Sequence, residues 1–343
     1  MSGRDPAADV AIAGGGVAGS AAALACVHLG LDTLWFRDAA RPGSAWLESL
    51  APEGRGYLRQ LLDDDEIRIS RRGVFRVLET EGRTRVFDSM FGEGIHLILE
   101  ILIRQLTRSA LQRGMRDVGP LRTVRRDGND RFELMDREGG IFHSRYLIDA
   151  TGIRAIAARQ LGMQRIKIGG ERFVERFRGA RSMSPNRARF ERLPSGGWRF
   201  QAIDAQGGTT ITQSNAGPAP DRSERRNMRW QCSRCFVREG LLTVGDCAYR
   251  FDPSCGLGMT RALKSALLAA RAVHRAIREP HQATAGLARH EQQMKEDFLE
   301  LLRALCVAQG EPHLVAEYQR KVQTECSISV SPAQIIHSSS PIR

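Results

Sequence analysis

Residues 9–38, DVAIAGGGVAGSAAALACVHLGLDTLWFRD, limit the folds open to this chain more than any other stretch. A short apolar run over 10–13 suits a buried strand. Gly14, Gly16 and Gly19 follow in the spacing G-x-G-x-x-G. An alanine-rich segment then reads as a helix to about Leu29, closed by Gly30. A second apolar run over 33–36 leads to Asp38. This is the order that a dinucleotide-binding βαβ unit requires. Gly14 permits the tight turn out of the strand. Gly16 lets backbone approach a pyrophosphate with no side chain between, and Gly19 lets the helix pack closely on the sheet. Val17 and Ala18 open the helix, where unpaired N–H groups and the positive end of the dipole face the phosphates.

At 343 residues the chain can bury a full core in one large or two intimate domains. Residues 10–27 are nearly all apolar, but their four glycines argue for a turn inside a fold rather than a membrane span. The first residues, MSGRDPAAD, lack a basic segment followed by an apolar one, so a cytoplasmic protein is expected. The net charge is +12, and only four lysines occur, so arginine carries almost all of the positive charge. That balance suits an anionic ligand or an acidic partner. The arginines are scattered, without the aromatic interleaving of a single-strand binder, and no nucleic-acid partner is expected. The seven cysteines are odd in number and irregularly spaced, as suits reduced thiols. Cys232 and Cys235 form one C-x-x-C without the second pair or histidines of a zinc site, so no metal is expected.

Periodicity and turn residues divide the rest of the chain. Residues 54–63 read as a helix; 66–70, 73–79 and 84–88 read as short strands. A strong helix is expected over 96–113, stopped at Gly114, then two strands over 131–135 and 142–148 around a turn at 138–140. Residues 165–215 alternate through RFVERFRG, RARFERL, GWRFQAI and TTITQS, the pattern of an antiparallel sheet open on one face. Residues 216–229 read as a loop and GLLTVGDCA as a buried strand closing on Gly245 and Asp246. A helix from about Leu257 to Ile277 and another over 285–307 follow, with a Ser-rich, mobile tail after about Glu325.

Three separated motifs stand in one order: the glycine loop, DATG at 149–152, and GD at 245–246 with DPSCGLG at 252–258. Together they resemble the FAD-dependent monooxygenase superfamily. These are glutathione-reductase-type flavoproteins that include aromatic hydroxylases, flavin-dependent halogenases and geranylgeranyl-reductase-like enzymes. LESL at 47–50 resembles the GESL-type segment of the halogenase and reductase branch, which makes Glu48 and Ser49 cofactor-binding candidates. The resemblance covers residue 9 to about 278. It implies an α/β chain with a Rossmann-like FAD-binding domain, an inserted, mostly antiparallel β-sheet substrate domain, and C-terminal helices. The FAD-binding segments are then 1–64, 96–164 and 231–280, the substrate-domain segments 65–95 and 165–230, and the C-terminal helices and tail 281–343. The resemblance further implies that Asp246 accepts from ribityl or ribose hydroxyls on the flavin side. Gly256, Leu257 and Gly258 would start a helix whose N–H groups face the isoalloxazine C2 carbonyl and stabilise negative charge on reduced flavin. Gly152 would bring backbone close to the cofactor.

The chain departs from the family in several places. Arg37 stands where the family usually places a ribose-gripping Glu, leaving Asp38 to take over with a small register shift. Leu99 stands where an Arg is often found. No lysine precedes Lys167, and the halogenase segment W-x-W-x-I-P is only half matched at 198–203, with Asp204 in place of Pro. Trp198 reads as an aromatic over the substrate cavity or as core. The resemblance therefore favours an oxidoreductase, an FAD-dependent monooxygenase that hydroxylates an electron-rich aromatic small molecule or a peptidyl tryptophan through a flavin C4a-hydroperoxide. The cofactor carries the chemistry, the protein excludes water, and no catalytic side chain stands out. No second G-x-G-x-x-G is present, so NAD(P)H would bind transiently or a separate flavin reductase would supply electrons. The rivals are a reductase of isoprenoid C=C bonds, a halogenase and a degenerate flavin-fold protein without turnover.

Overall fold

The computed structural model describes residues 7–38, 47–63, 66–67, 71–80, 83–87, 94–128, 130–179, 187–193, 197–203, 209–214, 224–251 and 253–326. Its first sheet is built outward from β1 (Ala8–Ala13). On one side β1 pairs in parallel with β2 (Thr33–Phe36), and beyond β2 lies the short strand Arg116–Asp117. On the other side it pairs in parallel with the strand Ile141–Asp149, which pairs in parallel with Leu241–Thr243. Val10, Ala11, Ile12 and Ala13 are fully buried. A parallel strand covered on both faces reads as a continuous apolar run, which is why 10–13 shows no alternation.

The helix α1 (Val17–His28) joins β1 to β2 and packs against two others, Leu99–Gln112 and Gly258–Arg278. Ala21, Ala22 and Ala23 have no exposed surface, and their small side chains let three helices meet over one sheet face. Two glycines set the height of α1 over β1. Gly14 leaves the strand at φ +118, and a Cβ there would lie 2.3 Å from the carbonyl oxygen of Ala150. A Cβ on Gly19 would lie 2.0 Å from the carbonyl oxygen of Gly14. Both distances are far inside van der Waals contact, so the helix, the loop and the neighbouring strand end meet backbone to backbone.

Among the described residues the second sheet has nine strands. Its order runs Glu224–Asn227, Phe173–Gly179, Thr209–Ser214, Trp198–Ile203, Arg187–Arg192, Arg71–Thr80, Gly94–Ile98 and Leu47–Leu50, with Arg83–Phe87 beside Arg71–Thr80. All neighbours are antiparallel except Arg187–Arg192 against Arg71–Thr80. The strands expected over 73–79 and 84–88 and those observed between Phe173 and Ser214 thus form one sheet.

Several boundaries differ from expectation. The helix expected from 96 starts at Leu99, because 94–98 pairs with Leu47–Leu50 and forms a strand first. Residues 216–229 contain an edge strand, Glu224–Asn227, whose side chains are exposed and carry no hydrophobic signal. Arg165–Ile168 leaves the large sheet for a small one with Trp230–Ser233 and Tyr249–Arg250. The helix expected over 54–63 is Pro52–Leu58; of the strand expected over 66–70, Glu66 lies in a turn, Ile67 is not in a strand, and 68–70 fall outside the described residues. Beyond the expected helix, here Ala283–Gln309, a further helix, His313–Cys326, follows a reversal at Gly310. These helices close over an aromatic cluster in which Phe298 stacks on Phe251 at 5.5 Å and meets Tyr318 at 5.0 Å. No helix among the described residues is long and apolar enough to cross a membrane.

Gly19→Ala should destabilise the protein by about 1–3 kcal/mol, because the added methyl meets backbone that cannot yield. Gly16→Ala, at a position with open space beyond the Cα, should cost less than about 1 kcal/mol. Urea denaturation of the two variants checks this, and equal losses would contradict it.

Candidate functional site

Three strand ends lie side by side at one edge of the first sheet, with Ala13 beside Asp149 and Asp149 beside Thr243. The glycine loop, the DATG turn and the GD turn leave from these three ends. Crevices at the carboxyl ends of parallel strands, where the chain order reverses, are the usual ligand sites of such sheets. A cavity of about 380 Å³ opens there, between the first sheet and the second. Gly16, Val17, Ala18, Gly152, Asp246, Gly256 and Gly258 line it. At Gly16, Gly152 and Gly258 a Cβ would meet nothing within 4 Å, so this wall is bare backbone facing open space.

Each turn is held from behind. The Trp35 indole Nε1 donates to the Gly14 carbonyl at 2.8 Å, and the Gly14 N–H donates to Phe36 at 2.8 Å. The carboxylate of Asp149, fully buried, accepts from the Thr151 N–H (2.9 Å), the Thr151 hydroxyl (2.6 Å) and the Ala158 N–H (2.7 Å). Asp149 and Thr151 of the DATG motif therefore shape the turn, while Gly152 reaches the cavity. In the GD turn the Gly245 N–H donates to Ser265 Oγ at 2.9 Å. Arg165 donates to the carbonyls of Asp246, at 3.0 Å, and Cys247. Burial lowers the Arg165 pKa, and the neighbouring Asp246 and Asp149 oppose that shift. Held by its backbone, Asp246 presents a carboxylate that is nearly half exposed, with Arg261 Nη2 at 3.9 Å.

Two helices begin at this cavity. α1 starts after Gly16 and the helix Gly258–Arg278 starts after Leu257. Neither has a side-chain cap, and neither carries an acid in its first turn. Their first N–H groups and positive dipole ends are thus open to negative charge or acceptor oxygens in the cavity.

The opposite wall comes from the second sheet, including its end strand Leu47–Leu50. Val174, Phe200, Thr210 and Thr212 face the cavity, and Leu99 and Met228 also line it. Glu48 accepts from Arg176 Nη1 at 2.8 Å, tying the LESL strand to the strand Phe173–Gly179 across the cavity. Ser49 Oγ lies 2.8 Å from His96 Nδ1.

Of the residues singled out from sequence, Gly16, Val17, Ala18, Glu48, Ser49, Gly152, Asp246, Gly256 and Gly258 meet around this one cavity. Gly14 and Gly19 stand behind it as packing contacts, and Leu257 is the residue that caps the second helix. Asp38 lies apart from the lining, 3.6 Å from Arg137, and Arg37 is paired with Asp117 and stacked over Trp35. Trp198 is buried against Phe190, with ring centroids 5.9 Å apart, beside Val174; it shares the cavity-facing side of the sheet without lining the cavity. Sequence reading missed Asp149, Arg165 and Arg250: a polar residue's role depends on distant partners, and only Asp149 lay in a motif.

No family model matches the chain, and no curated protein does either. Solved structures do. The flavin-dependent halogenase CmlS is 20% identical with a TM-score of 0.71, over 85% of this chain and 62% of that one. The chain thus spans less than two thirds of CmlS. The peptidyl tryptophan dihydroxylase QhpG is 19% identical with a TM-score of 0.69, over 92% of this chain and 79% of that one. PqsL of P. aeruginosa, solved with 2-aminobenzoylacetate, is 16% identical with a TM-score of 0.71, over 84% of this chain and 92% of that one.

In Asp149→Asn the amide nitrogen would face N–H donors that now meet a carboxylate. Amide hydrogen exchange at Thr151 and Ala158 should accelerate at least roughly tenfold, and unchanged protection would contradict the role given to Asp149. The chain has the fold of the flavin-dependent halogenases and hydroxylases.

Proposed function

We propose that the chain is an FAD-dependent monooxygenase acting on an aromatic substrate. The observation that carries this reading is the convergence of two uncapped helix N-termini, a bare glycine wall and the Asp246 carboxylate on one cavity. A long, anionic, hydroxyl-bearing dinucleotide fits that donor and acceptor set. The domain layout follows: 1–64, 96–164 and 231–280 form the FAD-binding part, 65–95 and 165–230 the substrate part, and 281–343 the C-terminal part.

In this reading the N–H groups of Val17 and Ala18 hold the pyrophosphate, and Gly16 leaves room for it. Asp246 accepts from hydroxyls of the cofactor's sugar chain. The Gly256 N–H is taken by the Pro253 carbonyl at 3.0 Å, so the N–H groups of Leu257 and Gly258, at the start of the helix, would face the flavin's pyrimidine edge and favour negative charge there. Bound flavin supplies dioxygen activation and oxygen transfer, with electrons from NAD(P)H or from a separate flavin reductase. The chain's task is to exclude water and place the substrate, and the apolar and threonine wall of the second sheet suits an aromatic body. Asp38 would grip the adenosine ribose only after releasing Arg137, so the Gly16–Ala18 end carries most of the adenosine-side affinity.

Hydroxylation is favoured over halogenation by the absence of lysine from the described residues that line the cavity. Arginine does not replace it, because its planar, always-charged head cannot act as a single amine. Gly16→Val should remain folded yet lose FAD affinity, and Asp246→Ala should lose about 1–3 kcal/mol of binding; wild-type affinity in either, by titration, would remove that residue from the site. Supplied with a flavin reductase, oxygen and an aromatic substrate, the enzyme should form an oxygenated product whether or not bromide is present. A brominated product would reassign it to halogenation.

A further inference from the structure

The cavity wall next to Asp246 holds more positive charge than the proposed cofactor contacts use. Arg250 lines the cavity and is nine-tenths buried. Its Nη2 donates to the Asn227 carbonyl at 2.7 Å, while its Nε, fully shielded from solvent, has no partner. Arg261, equally buried, donates from Nη1 to the Tyr249 carbonyl at 2.9 Å and likewise leaves its Nε without a partner. Arg226, on the edge strand, completes this end and is paired with Glu224 at 2.7 Å.

Burial pulls the Arg250 pKa below its ordinary value. Asp246 opposes that shift, and the like charges of Arg165, Arg226 and Arg261 reinforce it. A buried guanidinium with spare donors and three cationic neighbours is costly unless an anion completes the set. If Asp246 serves the cofactor hydroxyls, the pyrophosphate lies at the α1 end and Glu224 stays with Arg226, the charge that completes Arg250 can come from a second molecule. Val174, Met228, Phe200 and Thr212 also line the cavity, alongside the paired charges of Arg176 with Glu48 and Arg226 with Glu224. They suit an apolar body, and a planar guanidinium matches a carboxylate with two parallel N–H donors.

We infer that the substrate is an organic carboxylate with an aromatic body, and that Arg250 is its specificity-determining contact, with Arg261 and Arg226 supplying the surrounding field. This rests on the monooxygenase reading for the word substrate, but the binding itself is testable without turnover.

The test is calorimetric titration of the protein, with and without FAD, by benzoate and indole-3-carboxylate and by their carboxamides. The acids should bind roughly tenfold or more tightly than the amides, as expected for a charge-assisted pair. Arg250→Gln should weaken the acids roughly ten- to hundredfold and leave the amides and FAD unchanged, and Arg250→Lys should restore part of the loss. Equal binding of acids and amides by the wild-type protein would overturn the inference without need of any variant, as would no binding of either. Loss of FAD affinity in Arg250→Gln, in step with the acids, would give the arginine to the cofactor instead. Chloride or phosphate binding with the same dependence on Arg250 would make this an inorganic-anion site only and would also overturn it. Acid-selective binding in a protein that fails to bind FAD would sustain the carboxylate site and remove the flavin reading.

Discussion

The structure depends on the contact of backbone with backbone at Gly14, Gly19 and Ala150. With notional Cβ positions only 2.0 and 2.3 Å from carbonyl oxygens, neither glycine admits a side chain. That contact puts the N-terminus of α1 directly above the end of β1, and it presses the DATG turn against the glycine loop. The Gly245 turn closes the group, because a Cβ there would lie 2.7 Å from the Ala18 methyl. Three chain segments more than a hundred residues apart in places thus share one rigid rim.

The N–H donors and the Asp246 carboxylate on the first-sheet side of the cavity are hung on this rim. Asp149 holds the DATG turn to the helix after it through Thr151 and Ala158, and Arg165 holds the carbonyls of Asp246 and Cys247. The aromatic cluster around Phe298 backs the short strand Tyr249–Arg250 and fixes Phe251 at the cavity edge. Within the second sheet the Glu48–Arg176 ion pair joins the strands Leu47–Leu50 and Phe173–Gly179 at the cavity. A site on such supports is preorganised, which is what electrostatic stabilisation of a developing charge requires.

Much of this was legible in the chain itself, because glycine spacing and apolar runs are local signals. β1, α1 and β2 stand where residues 9–38 placed them, and the turns at 149–152, 245–247 and 253–258 meet at one cavity. What local signals could not carry was partnership. His96 to Ile98 look helical with the residues after them until the strand Leu47–Leu50 pairs there. The edge strand Glu224–Asn227, all polar and exposed, is a strand only because Phe173–Gly179 lies beside it. Trp198 could have been core or cavity, and its stacking on Phe190 decides for packing. Arg250 looked like one arginine among many until the fold placed it, nine-tenths buried, in the cavity lining.

The account's central claim is that the cavity at the three strand ends is an FAD site. A crystal structure of the chain grown with FAD tests it most directly. The account predicts the pyrophosphate on the N–H groups of Val17 and Ala18, a sugar hydroxyl on Asp246, and the isoalloxazine beside Gly256 and Gly258. A folded chain that shows no FAD in this cavity, or that binds it elsewhere, would contradict the claim.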